Sequence, residues 1–212
     1  MAKLEVFQQR LLAPLKHSDI QFLTGFGGIR AYTEVYPVIK RLQRVFGFHN
    51  VSITNGDIQM TSSIYDATVT IPGQKEKATV QKPGIATVVS VKLDIRLDAL
   101  GDDYKGQYVS FEDVGESDGA SGKGGSPQAT TALAQALKRA AAKVGVGRYL
   151  WCLPYQLSSA ELSESDAVAA LTEAGFEFKC EVTGKEVSYV EAYVSMEKFG
   201  RVLCKEGAKS LQ

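Results

Sequence analysis

Basic residues gather in one short stretch of the chain. Lys138 and Arg139 are adjacent, Lys143 follows Arg139 by four residues, and Lys123 lies in the glycine-rich segment before them. Lysine and arginine neutralise backbone phosphates and supply the sequence-independent part of nucleic-acid affinity. The cluster therefore predicts a phosphate-binding surface, although solvated cations on an ordinary helix face would give the same spacing.

The charge of the whole chain does not favour either interpretation. The 212 residues carry 24 Lys and Arg against 24 Asp and Glu, so a nucleic-acid site must come from local clustering. Three scattered cysteines are too few for a disulfide framework, which suits a reducing compartment. No apolar run is long enough for a signal peptide or a membrane span. We therefore expect a cytoplasmic, soluble protein without a membrane partner.

The cations are carried by a predicted helix that packs closely on its neighbours. Ser126 suits its N-cap, Pro127 its first position and Gly145 its end. The cations lie off its apolar stripe, and Tyr149 and Trp151 beyond it are expected to be core residues rather than stacking platforms. The predicted stripe consists of Ala129, Ala132, Leu133, Ala136, Leu137, Ala140 and Val144.

Ahead of this helix the sequence predicts two helices and then strands. Helical spacing covers residues 4–15 and 32–48, and β-branched runs separated by turn residues cover residues 50–114. Asn55-Gly56-Asp57 and Pro83-Gly84 are expected to be turns. In the run 89–97 apolar and polar residues alternate, as in an antiparallel sheet with one covered face. This order predicts the α+β class.

Two ordered motifs then resemble a known family. Glu112-Asp113-Val114-Gly115 closes a predicted strand, and Leu137-Lys138-Arg139-Ala140 lies in the helix after a polar loop. Together with the N-terminal helices, they resemble the Rad fifty-two family of single-strand annealing proteins over roughly residues 4–155. The resemblance implies a β-β-β-α core in a domain of residues 1–157. It also implies a homo-oligomeric ring that anneals single-stranded DNA in homologous recombination and DNA repair, without enzymatic activity or a cofactor.

The resemblance also implies a set of DNA contacts. Lys138 and Arg139 match the basic pair that holds the DNA backbone in the family's inner groove, and Phe48 falls where the family has an aromatic residue beside that groove. Lys123 matches, less closely, a second and outer DNA site. The DNA-binding role of these residues is what the resemblance implies.

The chain departs from the family's pattern at two positions. The family's arginine one turn further along the helix falls on Ala142, so Lys143 could replace it from the neighbouring position. A groove arginine of the N-terminal helix falls on Pro37, so either Lys40 or Arg41 does that work, or no residue does.

A nuclease is the alternative from another class. Asp94, Glu112, Asp113 and Asp118 are carboxylates of the kind that hold magnesium. Their spacing matches no nuclease motif, and the family resemblance makes Glu112 and Asp113 structural or inter-subunit residues. We therefore expect no catalytic residues, but the sequence alone leaves the alternative open.

The last segment, residues 158–212, is predicted to be a helix followed by a small β module. Cys180 and Cys204 each begin a spacing typical of a zinc ribbon, but Thr183 and Gly207 occupy the positions of the two other ligands. The module is therefore expected to bind no metal. It could instead bind other repair proteins or DNA, which leaves a scaffold function open.

Overall fold

The computed structural model describes most of the 212 residues, namely residues 2–25, 28–70, 77–117, 128–151 and 163–210. Its α-helices are α1 Ala2–Leu12, α2 Val35–Phe46, α3 Gln128–Val144, α4 Glu164–Glu173, α5 Tyr189–Phe199 and α6 Lys205–Lys209. Its strands are β1 Ile20–Gly25, β2 Gly28–Thr33, β3 Val51–Thr70, β4 Lys77–Arg96 and β5 Tyr108–Ser117. Short 3₁₀ helices lie at His17–Asp19, Phe48–Asn50, Leu97–Leu100, Asp102–Tyr104 and Arg148–Trp151. The predicted α+β class is confirmed.

The main sheet is antiparallel with the order β3-β4-β5. The predicted alternation in β4 is confirmed, because Val89, Val91, Leu93 and Ile95 are buried while Lys92 is exposed. Helix α3 packs against β4 and β5. One face of the sheet is thus covered by a helix and the other is solvated.

The expected turn at Asn55-Gly56 is wrong, because β3 continues through it. The register shifts between Asn55 and Ile58, so these residues form a bulge within a strand that pairs with β4 along its length. A Cβ at Gly56 would lie 2.0 Å from the Ser90 hydroxyl oxygen, which indicates that the glycine permits a close approach of the two strands. Long-range pairing here outweighs the local turn signal.

The expected turn at Pro83-Gly84 is also wrong. Pro83 pairs with Ile64 and Gly84 with Ser63 inside the β3–β4 ribbon. A proline is tolerated there because β5 pairs with β4 only between Thr87 and Arg96. At Pro83, β4 therefore has a partner on one side among the described residues, which is the position of an edge strand.

The buried helix faces follow the predicted patterns in part, because Ala129, Leu133 and Val144 of the predicted α3 stripe are half-buried, while Ala141, outside that stripe, is buried. Helix α2 buries Val38, Leu42, Val45 and Phe46, and α3 buries Ala132, Ala136, Leu137 and Ala140. Gly47 and Gly145, which follow these helices, have positive φ angles of 90° and 121°, as glycines after a helix often do. The predicted N-cap of α3 at Ser126 and Pro127 lies outside the described residues. Within the described ranges, no helix combines the length and apolar composition that a membrane crossing requires.

The chain divides into two compact units. The first comprises Met1–Ala13 and Val38–Val146, and the second comprises Pro14–Pro37 and Gly147–Gln212. The predicted boundary between residues 157 and 158 lies outside the described residues. The segment 14–37, which the sequence places with the first domain, thus belongs to the same unit as the C-terminal helices.

The second unit is built around one apolar core. The β1–β2 hairpin contributes Phe22 and Ile29, and the Ile29 N–H donates to the Tyr189 hydroxyl oxygen at 3.2 Å. Phe176 contacts Phe22 edge-to-face at 4.9 Å between ring centroids. Helices α4, α5 and α6 follow, with Lys179 and Glu186 forming an isolated β-bridge before α5. In the C-terminal segment, among the described residues 163–210, this bridge is the extent of the β structure, and the rest of the regular structure is helical.

Candidate nucleic-acid interface

The strand and the helix that carry the two motifs are in direct contact. A Cβ on Gly115 of β5 would lie 1.8 Å from the Ala132 carbonyl oxygen and 2.6 Å from the Ala136 nitrogen. Both partner atoms belong to the backbone of α3, so no rotamer change could make room. The glycine of one motif therefore allows the helix of the other to pack on the sheet at backbone distance.

This packing places the cations of α3 along β5. The Arg139 guanidinium donates to the Val114 carbonyl at 3.0 Å. The Lys143 ammonium pairs with Asp113 at 3.0 Å and also donates to the Glu112 carbonyl. Lys138 is half-buried, whereas Arg139 and Lys143 are exposed. Arg139 and Lys143 thus lie beside one strand, and Lys138 precedes Arg139 on the same helix. We call these three residues the α3 basic row.

The α3 basic row also has a structural use. Glu112 and Val114, whose carbonyls it contacts, are alternate residues of a strand at the edge of the described sheet. Unpaired groups on an edge strand invite pairing with another strand, and cationic side chains over the edge discourage it. Because Asp113 also offsets the charge of Lys143, the row is less positive than the sequence alone indicates.

The two substitute cations of α2 differ in their surroundings. Lys40 is exposed. Arg41 donates from one guanidinium nitrogen to the carbonyls of Arg10 and Ala13, each at 2.9 Å. These carbonyls lie at the C-terminal end of α1, where the last turn of a helix leaves acceptors unpaired. Arg41 therefore joins α2 to the end of α1 within the first unit.

Replacing Arg41 with alanine is expected to lower the free energy of unfolding by about 1–2 kcal/mol, because two charge-assisted hydrogen bonds are lost. Chemical denaturation followed by circular dichroism measures this change. Arg44→Ala removes an exposed arginine from the same helix; it is the matched control and should change stability by less than about 0.5 kcal/mol. Equal effects of the two substitutions would contradict the capping role of Arg41.

The other predicted positions fall in different surroundings. Phe48 is 69% exposed and contacts His49 edge-to-face, so its ring faces solvent. Ala142 is buried, whereas Lys143 is exposed. A cation at position 142 would therefore be less accessible to DNA than Lys143 is. Tyr149, expected in the core, is half-buried and its hydroxyl accepts from the Leu15 N–H. Lys123 lies outside the described residues.

The carboxylates of the nuclease alternative are separated by the sheet. Asp94 and Glu112 belong to the solvated face, where Ser110 donates to Asp94 and lowers the pKa of that carboxyl. Asp113 lies on the opposite face, toward α3. Asp118 is outside the described residues. Within the described ranges no group of three or more His, Cys, Asp and Glu side chains could hold a metal ion.

One apolar surface was missed by the sequence interpretation. In the β3–β4 ribbon, Ile58, Met60, Ile64 and Ile85 are all at least half exposed, and Ile64 reaches 74%. Their register places them on the same face as the buried Val89. We call these four residues the ribbon stripe. The alternation of Ile58, Met60 and Ile64 in the sequence is typical of one strand face. The turns expected on either side kept these residues from being assigned to one long ribbon.

The described part of the first unit therefore has two candidate binding surfaces, the cationic α3 basic row and the apolar ribbon stripe. No protein-family model matches the chain, and no curated protein matches it at a significant level.

Proposed function

We propose that the chain binds single-stranded DNA and anneals complementary strands, as a protein of the Rad fifty-two type. The observation that supports this most is the contact of Gly115 with α3, since it unites the two motifs behind the family resemblance into one strand–helix unit. The α3 basic row, with Lys138 and Arg139 at its centre, is the proposed site for the phosphate backbone. Phe48 and Lys40 are proposed as further DNA contacts.

The proposed activity requires no catalytic group. Complementary strands repel each other through their phosphates, and free single strands also fold on themselves. A cationic surface that screens the phosphates and leaves the bases accessible removes both obstacles. Since duplex formation is itself favourable, annealing needs neither nucleotide hydrolysis nor a metal ion.

Self-association is part of the proposal. Exposed apolar patches on otherwise polar surfaces commonly mark protein interfaces, and the ribbon stripe is such a patch. A homo-oligomeric ring would repeat one modest basic row many times. This repetition explains how a chain with no net charge could hold a polyanion.

The direct test follows the annealing of two complementary labelled oligonucleotides in the presence of a metal chelator. The protein is expected to raise the annealing rate, to leave both strands intact and to bind single strands more tightly than duplex, because only single strands expose bases. Electron microscopy with and without single-stranded DNA tests the assembly. Unchanged annealing, or a monomeric particle under both conditions, would count against the proposal.

A further inference from the structure

Two free thiols from distant parts of the sequence meet in the second unit. Cys180 is buried and Cys204 is half-buried. A Cβ placed on Gly207 would lie 2.7 Å from the Cys180 sulfur and 3.7 Å from the Cys204 sulfur. The Thr183 hydroxyl lies 3.4 Å from the Cys204 sulfur and also hydrogen-bonds to the Cys180 sulfur. The two sulfurs thus share two close neighbours.

Hydrogen-bond donors surround the Cys180 sulfur. The Thr183 hydroxyl makes the largest contribution, and the N–H groups of Cys204, Thr183 and Val182 add to it. Together they lower the pKa of the Cys180 thiol to about 6, although burial acts in the opposite direction. Lys185, which pairs with Glu206 at 2.6 Å, adds positive charge near both sulfurs. A thiolate at position 180 is therefore stabilised at neutral pH.

The same geometry is a poor zinc site. Structural zinc takes four thiolate or imidazole ligands. The two positions that would complete the set hold the Thr183 hydroxyl and Gly207, which has no side chain. In the described part of the chain, no third Cys, His, Asp or Glu joins the two sulfurs in a group that could hold a metal. Two neighbouring thiols that hold no metal can instead be oxidised to a disulfide.

We propose that Cys180 and Cys204 form a redox-active dithiol, which closes to an intramolecular disulfide when a hydroperoxide oxidises the chain. This modification site does not depend on the annealing proposal. The bond would join the turn that starts at Cys180 to the N-cap of α6, which is Cys204. In a reducing compartment such a bond is transient and serves to sense oxidation rather than to stabilise the fold permanently.

The two sulfurs have different parts in the reaction. Cys204, the more exposed, attacks the hydroperoxide after losing its proton; an S–O bond forms, the O–O bond breaks, and the departing alkoxide takes up a proton to become an alcohol. The Cys180 thiolate then attacks the Cys204 sulfur, the S–S bond forms, and the S–O bond breaks. The hydroxide released takes up a proton and leaves as water. Two thiols are oxidised by two electrons, and one hydroperoxide is reduced.

The test uses the full chain with Cys152→Ser, which removes the third cysteine from the readout. Treatment with cumene hydroperoxide is expected to lower the intact mass by two hydrogens and to protect both remaining thiols from alkylation. Dithiothreitol should restore the mass and both thiols. Peptide mapping of the oxidised chain should recover Cys180 linked to Cys204, and the same link should form in the wild-type chain.

Two variants make the result specific. Cys180→Ser should accumulate a sulfenic acid on Cys204 that dimedone traps, because no thiolate is present to resolve it. Thr183→Val should slow disulfide closure roughly threefold near pH 6.5, since loss of the hydroxyl lowers the thiolate fraction of Cys180. Disulfide-linked dimers on a non-reducing gel, or over-oxidised Cys204 beside a Cys180 that can still be alkylated, would overturn the proposal.

Discussion

Gly115→Ala is expected to prevent the first unit from folding to its native packing. The added methyl carbon would lie 1.8 Å from the Ala132 carbonyl oxygen, so α3 would have to leave its position on β5. Buried Ala136 and Ala140 would then lose their packing against the sheet. We expect a loss of more than about 3 kcal/mol in the free energy of unfolding, above the usual cost of overpacking, because both clashing atoms belong to the backbone. Urea denaturation followed by circular dichroism measures the loss.

The neighbouring residue provides the control for this substitution. Glu116 follows Gly115 on β5 but is exposed and belongs to the opposite face of the strand. Glu116→Ala should change the free energy of unfolding by less than about 0.5 kcal/mol. If Gly115→Ala were as mild as Glu116→Ala, the close approach of α3 to β5 would be wrong, and the structural argument that unites the two motifs would fail with it.

The double substitution Lys138→Ala/Arg139→Ala is expected to weaken single-stranded DNA binding roughly tenfold or more at low salt, because two phosphate contacts are lost. The slope of log affinity against log salt should also fall by about 0.7 for each contact removed. Fluorescence anisotropy with a labelled oligothymidylate measures both quantities. The slope is measured because it reports the number of phosphate contacts. A misfolded protein would also lose affinity, but its slope would not fall by a defined amount for each residue replaced.

Two checks separate a lost contact from a lost fold. Arg139 donates to the Val114 carbonyl, so the thermal unfolding midpoint of the double variant must be measured alongside its DNA affinity. Lys198→Ala/Lys209→Ala removes the same charge from exposed positions of the second unit and should leave affinity nearly unchanged. Undiminished binding by the Lys138→Ala/Arg139→Ala protein, if it still oligomerises, would refute the assignment of the α3 basic row.

Local patterns predict the parts of the fold that depend on short-range physics. The centre of the predicted α3 stripe and the alternation of β4 appear in the structure as expected, because burial on one side of a helix or strand gives a periodic sequence pattern. The bulge at Asn55 could not be predicted from local sequence. The Asn-Gly pair favours a turn, but here it lies inside a strand whose pairing partner is more than thirty residues away. The contact of Ile29 with Tyr189 likewise could not be predicted from local sequence, because the two residues are 160 positions apart.

The candidate site is predictable to a similar extent. The cations of α3 and their separation from the apolar stripe follow from helical spacing alone. Their partners do not, since the contact of Lys143 with Asp113 depends on how α3 crosses β5 and thus on Gly115. The role of Arg41 was likewise hidden, because the acceptors that it contacts are backbone carbonyls of another helix.

The unequal lengths of the strands have a consequence for how the ribbon stripe is ordered. Strands β3 and β4 each run for 20 residues, whereas β5 runs for 10 and, as described, ends opposite Thr87. At about 3.4 Å per residue, roughly 30 Å of the ribbon has no third strand beside it among the described residues. Two-stranded ribbons are marginally stable in water by themselves. In the proposed self-association, another copy that covers the stripe would stabilise this arm as it binds, so that ordering and association would be coupled.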